Sequence, residues 1–423
     1  MVENLSLPSH PQPPPSLAEP FPPRLGPTES PSATAQEILT GAPPEPEGSL
    51  TWVQLKQETQ CSSLKPSRFG PIWKTRFQSR FSKSSAQYQQ LMLKRIGVIT
   101  SGGDSPGMNP AIRAIARTGV SLGIDVVGIQ NGYQGIFDRE FMPLGVIEVS
   151  GRIRDAGTIL STSRCLHFKE EKSQLQAIEI LKKENIQALV VLGGDGSLAG
   201  AAALSKLGLR VLGLPCSIDN DLSGTEMSIG VDSCLNTVVH LIDMIKATAA
   251  SHNRCFVIEV MGRNHGYLAL MSAIASGSQI AVIPEFRYDM DKIIENLTRR
   301  RLRRHNNSVV VVAEGACSGQ EFMNRLLDAG KNKLEQEVRL TVLGHLQRGS
   351  PPTFSDRFLA TRMGEFAVLA LNQGEHGSMV GLLRNRMNLT DLQEIKGHRP
   401  PLPADAIRLA RNLGMEVGVP SEI

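Results

Sequence analysis

No apolar run in this sequence approaches the roughly 18 residues that a membrane span needs, which excludes a transmembrane protein. No CxxC pair is present either. The six cysteines, at 61, 165, 216, 234, 255 and 317, are scattered. That argues against a disulfide framework or a structural zinc site, and a reducing compartment, the cytoplasm, is expected. An excess of one charge is also missing. Against 45 Lys+Arg stand 41 Asp+Glu, a formal +4, too balanced for a nucleic-acid binder. What is present is 41% hydrophobic and 20% charged residues, enough apolar material for a sizeable core, in 423 residues, a length for two or three domains. The 39 glycines cluster at a few strand ends.

The first 50 residues hold 13 of the 26 prolines, a single basic residue (Arg24) and six glutamates. Runs such as Pro13-Pro14-Pro15 favour polyproline II and cannot build a helix or central strand, so this stretch reads as a disordered tail. It has neither the basic start and apolar core of a secretory signal nor the acid-poor character of a transit peptide. Residues 51–93 carry seven Lys+Arg against one acid, Glu58, and both tryptophans, Trp52 and Trp73. This is a basic linker or a docking segment. Met92 is an alternative start, because organised sequence begins just after it.

From Lys94 the pattern is strand, glycine turn, helix, repeated. Apolar runs predict strands at Ile96–Thr100, Val126–Ile129, Ala188–Leu192, Val211–Leu214, Phe256–Met261, Ala281–Ile283, Val309–Ala313 and Leu340–Leu343. Helical stretches such as Gln174–Lys183 and Cys234–Ala250 lie between them. The alternation implies an α/β protein of two Rossmann-like βαβ domains with parallel sheets, behind a disordered N-terminal extension. Ligands in such folds sit at the carboxyl ends of the strands, where the glycine motifs fall.

The first motif is Ser101-Gly102-Gly103-Asp104-Ser105-Pro106-Gly107. Two glycines after a strand let a phosphate approach backbone N–H groups, and Ser105-Pro106 reads as an N-cap and first helical residue. Alone, this is equally a tight turn with a capped helix. The second, Gly193-Gly194-Asp195-Gly196-Ser197, opens a helix over Leu198–Lys206 and adds a carboxylate. An Asp beside phosphate-binding amides is repulsive unless a divalent cation bridges them, and Mg²⁺ suits one carboxylate plus phosphate oxygens. As an isolated turn, Asp195 is a capping residue; two such turns in one sheet favour a nucleotide site. The third, Ser217-Ile218-Asp219-Asn220-Asp221, sets two acids two residues apart at a further strand end. One can take a proton while the other organises metal, or the segment is merely an Asx-rich loop.

These motifs, with Met261-Gly262-Arg263 and Gly344-His345-Leu346-Gln347-Arg348-Gly349, occur in the order and approximate spacing of the bacterial-type, ATP-dependent phosphofructokinase family. The similarity runs from about Lys94 to the 390s. The resemblance implies a kinase that transfers the γ-phosphoryl of MgATP to the 1-hydroxyl of fructose 6-phosphate, and a homotetramer of two-domain subunits. It implies an ATP-binding domain over 94–230 plus 343–393 and a sugar-phosphate domain over 231–342 plus 394–423. It implies that Gly102, Arg164, Cys165, Gly194, Gly196 and Ser197 hold ATP and that Asp195 holds Mg²⁺. Asp219 becomes the base, with Arg164, Arg263 and Ser217 serving the transferring phosphoryl and Asp221 near the metal. Ile218, Met261, Gly262, Arg263 and Glu314 line the sugar; His345, Leu346, Gln347 and Arg348 adjoin its 6-phosphate. Arg254 and Arg339 match positions that reach that phosphate from a neighbouring subunit. The chemistry agrees: phosphoryl transfer needs in-line positioning, cations on the equatorial oxygens and a carboxylate for the hydroxyl proton.

Departures from the family pattern sharpen the reading. Pyrophosphate-dependent relatives typically carry a second Asp and a Lys where this chain has Gly196 and Cys216, which favours ATP and leaves pyrophosphate as the alternative donor. At the family's effector pocket Arg113, Arg117, Lys246 and Arg303 keep positive charge. Val146, Gln279 and Asn307 replace an Arg, a metal-binding Glu and a His, so an anionic effector is expected without a Mg-ADP identity. The run Arg299–Arg304 with His305 belongs to that pocket or is a solvated helix end. A non-catalytic sugar-phosphate sensor is the other rival. It would be expected to lack at least one of Asp195, Asp219, Arg164 and Arg263, and all four are present.

Overall fold

The computed structural model describes residues 93–420 apart from 253, 303–307, 332 and 396. The proline-rich tail, the tryptophans, Met92, Arg303, Arg304, His305 and Asn307 lie outside the described residues. In chain order the first half gives β1 (Arg95–Ser101), α1 (Met108–Ser121), β2 (Asp125–Ile129), α2 (Gly132–Asp138), β3 (Phe141–Pro143), α3 (Glu171–Lys183), β4 (Ala188–Gly193), α4 (Asp195–Lys206) and β5 (Arg210–Pro215). The second half gives α5 (Val231–His252), β6 (Arg254–Val260), α6 (Tyr267–Ser276), β7 (Ile280–Val282), β8 (Phe286–Arg287), α7 (Met290–Leu302), β9 (Ser308–Ala313), α8 (Gly319–Ala329) and β10 (Glu337–Val342). The chain then runs through α9 (Phe354–Asn372), β11 (Ser378–Leu383), β12 (Arg386–Asp391), α10 (Leu392–Ile395), α11 (Ala404–Asn412) and β13 (Val419–Pro420).

Two main sheets result. The first has the order β12-β11-β5-β4-β1-β2-β3, the second β10-β6-β9-β7, and β8 and β13 form a separate two-stranded ribbon. The β-branched runs become parallel strands buried on both faces; every residue of β4 and β9 is buried. On one face of the first sheet Ile112, Ile115, Met363 and Val368 from α1 and α9 meet Val98 and Val190. On the other, Leu181, Leu198 and Ala201 from α3 and α4 meet Ile99 and Val191. Each fully buried aliphatic side chain contributes about 1.5–3 kcal/mol. The second sheet is covered likewise, by α5, α6 and α11 on one face and α7 and α8 on the other. Among the described residues, no helix is long and apolar enough to cross a membrane.

The predicted strands are present, most of them extended by one to three residues, while Met261, Ile283 and Leu343 fall just beyond β6, β7 and β10; β3, β8, β11, β12 and β13 were not predicted. The first sheet is not wholly parallel. Its edge strands β3 and β12 run antiparallel to β2 and β11. β12 mixes polar and apolar residues, as an edge strand can, and the turn into it uses left-handed Arg384 (φ 51°) and Asn385 (φ 60°), so apolar-run reading passes over it. Ser105 does not cap α1. Its hydroxyl donates to the Ile229 carbonyl at 2.5 Å, and the helix starts later, behind left-handed Gly107. A long-range acceptor outcompetes the local cap.

One buried carboxylate joins the two halves. Asp356, on α9, accepts from the N–H groups of Gly230 and Ser233, both at 2.8 Å, and from the Ser233 hydroxyl. It thereby caps α5, which starts directly behind the loop after β5. Burial pushes its pKa up, and these donors hold it back.

Candidate active site

β1 and β4 are neighbours, although β2 follows β1 in the chain and pairs on its other side. Their carboxyl ends are therefore the topological switch point of the sheet, where a ligand crevice opens. Both glycine turns lie there. A Cβ on Gly193 would meet the Ser101 carbonyl oxygen at 2.5 Å and Ser197 at 2.6 Å, so the close approach of the two strand ends demands glycine. Gly102 has φ +86°, a left-handed conformation that L side chains rarely adopt. α4 begins at Asp195, so its N-terminal amides and dipole face the crevice. Space around Gly196 is open.

The cleft holds about 510 Å³ and gathers Gly102, Gly194, Asp195, Gly196 and Ser197 with Arg164, Cys165 and Arg263. The loop carrying Arg164 is held by three hydroxyls: Thr100 to the Ser161 carbonyl at 2.7 Å, Thr162 to that of Gly102 at 2.7 Å, and Ser163 to that of Asn131 at 2.8 Å. Arg164 stays exposed at its mouth. Sequence reasoning missed Tyr133 and Phe168, whose rings stack at 4.0 Å on the cleft wall. The Tyr133 hydroxyl donates to the Ser197 carbonyl at 2.7 Å, fixing the first turn of α4. The scarcity of tyrosine, four in the chain, was the available signal.

Among the described residues no group of three or more His, Cys, Asp or Glu could hold a metal ion. Asp195 is a single exposed carboxylate beside the N-terminal amides of α4. That arrangement fits a hard cation bringing most of its ligands as water and phosphate oxygens, which is how Mg²⁺ binds.

The loop after β5 is built differently. Asp219 is 2% exposed; its Oδ2 lies 3.5 Å from Arg263 Nε, and its Oδ1 is buried with no hydrogen-bond partner among the described residues. Its pKa is pushed up to about 6, by burial first and the Asp221 charge second, against Arg348 and Arg263. Ser217 Oγ accepts from the Asp219 N–H at 3.2 Å and donates to Asp221 Oδ1 at 3.4 Å. Ile218 and Cys216 are buried, and burial pushes the Cys216 thiol up out of reactive range. Asn220, left-handed at φ 50°, closes the loop through Glu226 and Ser228.

The second sheet contributes from the end of β6. Gly262 and Arg263 have φ +134° and +50°, and Glu314 Oε1 accepts the Arg263 N–H at 2.9 Å, so backbone strain and a carboxylate aim the Arg263 side chain at Asp219. Gln347 is buried and accepts from the Met261 N–H at 3.2 Å. Arg348 donates to the Asp104 carbonyl at 2.7 Å, joining the 3₁₀ turn Gly344–Arg348 to the first glycine loop. His345 and Leu346 are exposed. Arg254 and Arg339 are not brought to this site. Both pair with Glu337 at the amino ends of β6 and β10, roughly 20 Å of strand away from Met261.

At the remaining predicted positions Gln279 is engaged within its own chain: Oε1 accepts the Val309 N–H at 2.6 Å and Nε2 donates to the Gly277 carbonyl at 3.2 Å. Lys246 donates to the Ser276 carbonyl, Arg113 is half-buried, and Arg117 and Val146 are exposed.

Comparison with known proteins accords with this geometry. Residues 95–371 match the family model described as phosphofructokinase. The chain is 46% identical over 323 residues to the ATP-dependent 6-phosphofructokinase of Halalkalibacterium halodurans, an alignment covering 76% of this chain and 100% of that one. It is 48% identical over 290 residues to the enzyme of the same name from Natranaerobius thermophilus, covering 69% and 90%. Among solved structures it resembles Pichia pastoris phosphofructokinase in the T-state, with a TM-score of 0.68 at 36% identity, over 76% of this chain and 36% of that longer one. A glycine-lined switch point, a buried carboxylate beside it and these likenesses together lead to one conclusion: the chain belongs to the phosphofructokinase family.

Proposed function

We propose that this chain transfers the γ-phosphoryl group of ATP, bound with Mg²⁺, to the 1-hydroxyl of fructose 6-phosphate, giving fructose 1,6-bisphosphate and ADP. The observation that carries this reading is the desolvated Asp219 carboxylate, whose Oδ1 has no hydrogen-bond partner among the described residues and whose Oδ2 lies 3.5 Å from Arg263 on the cleft wall. A carboxyl raised to about 6 is a carboxylate at neutral pH, yet basic enough to take a proton as the hydroxyl attacks. Gly102, Gly194, Gly196 and Ser197 hold the nucleotide phosphates, Arg164 and Cys165 flank them, and Tyr133 and Phe168 wall the cleft. Asp195 holds Mg²⁺, which neutralises charge on the phosphates when bound. Arg164, Arg263 and Ser217 steady the transferring group. Ile218, Met261, Gly262 and Glu314 shape the sugar site, with His345, Leu346, Gln347 and Arg348 beside the 6-phosphate.

Residues 94–230 plus 343–393 are the ATP domain and 231–342 plus 394–423 the sugar-phosphate domain. The proposed assembly is a homotetramer in which Arg254 and Arg339, which pair with Glu337 within this chain, complete a neighbour's site. An anionic effector is retained without a metal-dependent mode, because Gln279 is occupied by Val309 and Gly277.

The test is steady-state turnover of purified chain with fructose 6-phosphate and either ATP or pyrophosphate, across a Mg²⁺ titration. Fructose 1,6-bisphosphate formed with ATP alone is expected. Turnover with pyrophosphate only, or with neither donor, overturns the reading.

A further inference from the structure

His265 follows Arg263 by two residues, in the turn between β6 and α6. Its ring is 4% exposed. Nδ1 lies 3.1 Å from the carbonyl oxygen of Asp219, and Nε2 lies 3.2 Å from that of Pro400 in the segment before α11. The ring stands parallel to that of Tyr267, centroids 6.1 Å apart, and the backbone N–H of His265 donates to the Gly262 carbonyl at 2.9 Å. The imidazole therefore joins three segments distant in sequence: the loop after β5, the turn after β6 and the C-terminal stretch.

Both ring nitrogens face acceptors. A neutral imidazole carries one N–H and satisfies one of the two carbonyls, whereas the imidazolium satisfies both. The Asp219 carbonyl is the acceptor that matters for chemistry. It begins the peptide leading into left-handed Asn220, and its orientation sets where the Asp219 side chain leaves the backbone. Asn220 anchors the far side of that peptide through Glu226 and Ser228. No hydrogen bond to the Asp219 carboxylate from this first sheet steers it, since Oδ1 is unpartnered.

We propose that His265 is a positioning residue for the phosphoryl-transfer base: by donating Nδ1–H to the Asp219 carbonyl it fixes the peptide from which the Asp219 carboxylate projects. The inference rests on Asp219 being the base. A small misplacement of a reacting group costs up to about 100-fold in rate.

Two near-isosteric variants separate the contacts, because an Asn amide reaches where Nδ1 sits and a Gln amide where Nε2 sits. His265→Asn keeps the Asp219 bond and should retain most of kcat. His265→Gln keeps the Pro400 bond and should lose about 10- to 100-fold in kcat, with the KM for ATP nearly unchanged. Equal loss in both variants, or none in either, overturns the assignment. A second readout does not use activity: ¹⁵N NMR of the histidine-labelled full chain above pH 8, with the His265 signal assigned by its absence in His265→Asn. A proton on Nδ1 is expected; one resident on Nε2 overturns the proposal even if His265→Gln fails to fold. Asp219→Asn measured alongside identifies a failure of the base assignment itself, since it would then keep turnover.

Discussion

β4 and β5 are adjacent, parallel strands whose carboxyl ends each deliver an Asp, yet the two carboxylates live in opposite surroundings. Asp195 opens α4 directly, exposed, with glycines on both sides and open space at Gly196. Asp219 sits in a loop that folds back under the second sheet, 2% exposed, with its pKa raised to about 6. A solvated carboxylate at a helix N-terminus can share a hydrated cation with phosphates. A desolvated one becomes a base matched to neutral pH. Two identical side chains thus take different parts of one reaction because of what covers them.

The sharpest way to break this comparison is Asp219→Asn. The amide keeps the shape but takes no proton, so kcat should fall about 10²- to 10⁴-fold with both KM values little changed. Near-normal turnover would remove Asp219 from the chemistry. In the unmodified enzyme, kcat/KM should decline as pH falls through about 6, because the base is lost as it protonates. The stability effect has the opposite sign. A raised carboxyl favours the fold when protonated and loses that advantage as pH rises through about 6, so Asp219→Asn should melt no lower than the parent above pH 6.

Asp195→Asn should cost less, about 10- to 100-fold, the range of one charged contact of about 1.5–3 kcal/mol, and should appear in the KM for ATP and in the Mg²⁺ requirement. An unchanged Mg²⁺ dependence would dissolve the contrast between the two strand ends. Arg254→Ala and Arg339→Ala should raise the KM for fructose 6-phosphate about tenfold and leave that for ATP alone. Co-assembly of Arg254→Ala with Asp219→Asn should restore activity through mixed sites; proven hetero-oligomers without recovery would sink the shared site. The smallest effect is expected from a chain beginning at Met92, since the family match starts at 95. Its turnover should stay within about twofold, and a folded but inactive truncation would give the extension a catalytic role.

How far this was legible beforehand depends on the range of the interactions. The strands β1, β2, β4 to β7, β9 and β10, the two glycine turns and the Ser217–Asp221 loop were readable because β-branched runs, glycine and Asx residues act through local backbone sterics. Ser105 was misread for the complementary reason: its best acceptor, Ile229, is 124 residues away. Tyr133 and His265 went unnoticed because a lone aromatic carries no local pattern, and its meaning depends on the carbonyls it meets.

By itself the sequence determined the βαβ rhythm, the placing of glycines and acids at strand ends, and the order of motifs that the family shares. Those follow from short-range conformational preference and side-chain chemistry. Only the tertiary structure decided that β1 and β4 lie side by side, that Asp219 is dry while Asp195 is wet, and that Arg254 and Arg339 stand at the far end of their strands from Met261. Desolvation and charge coupling depend on groups brought together from distant parts of the chain, and the pKa of a base is set by them.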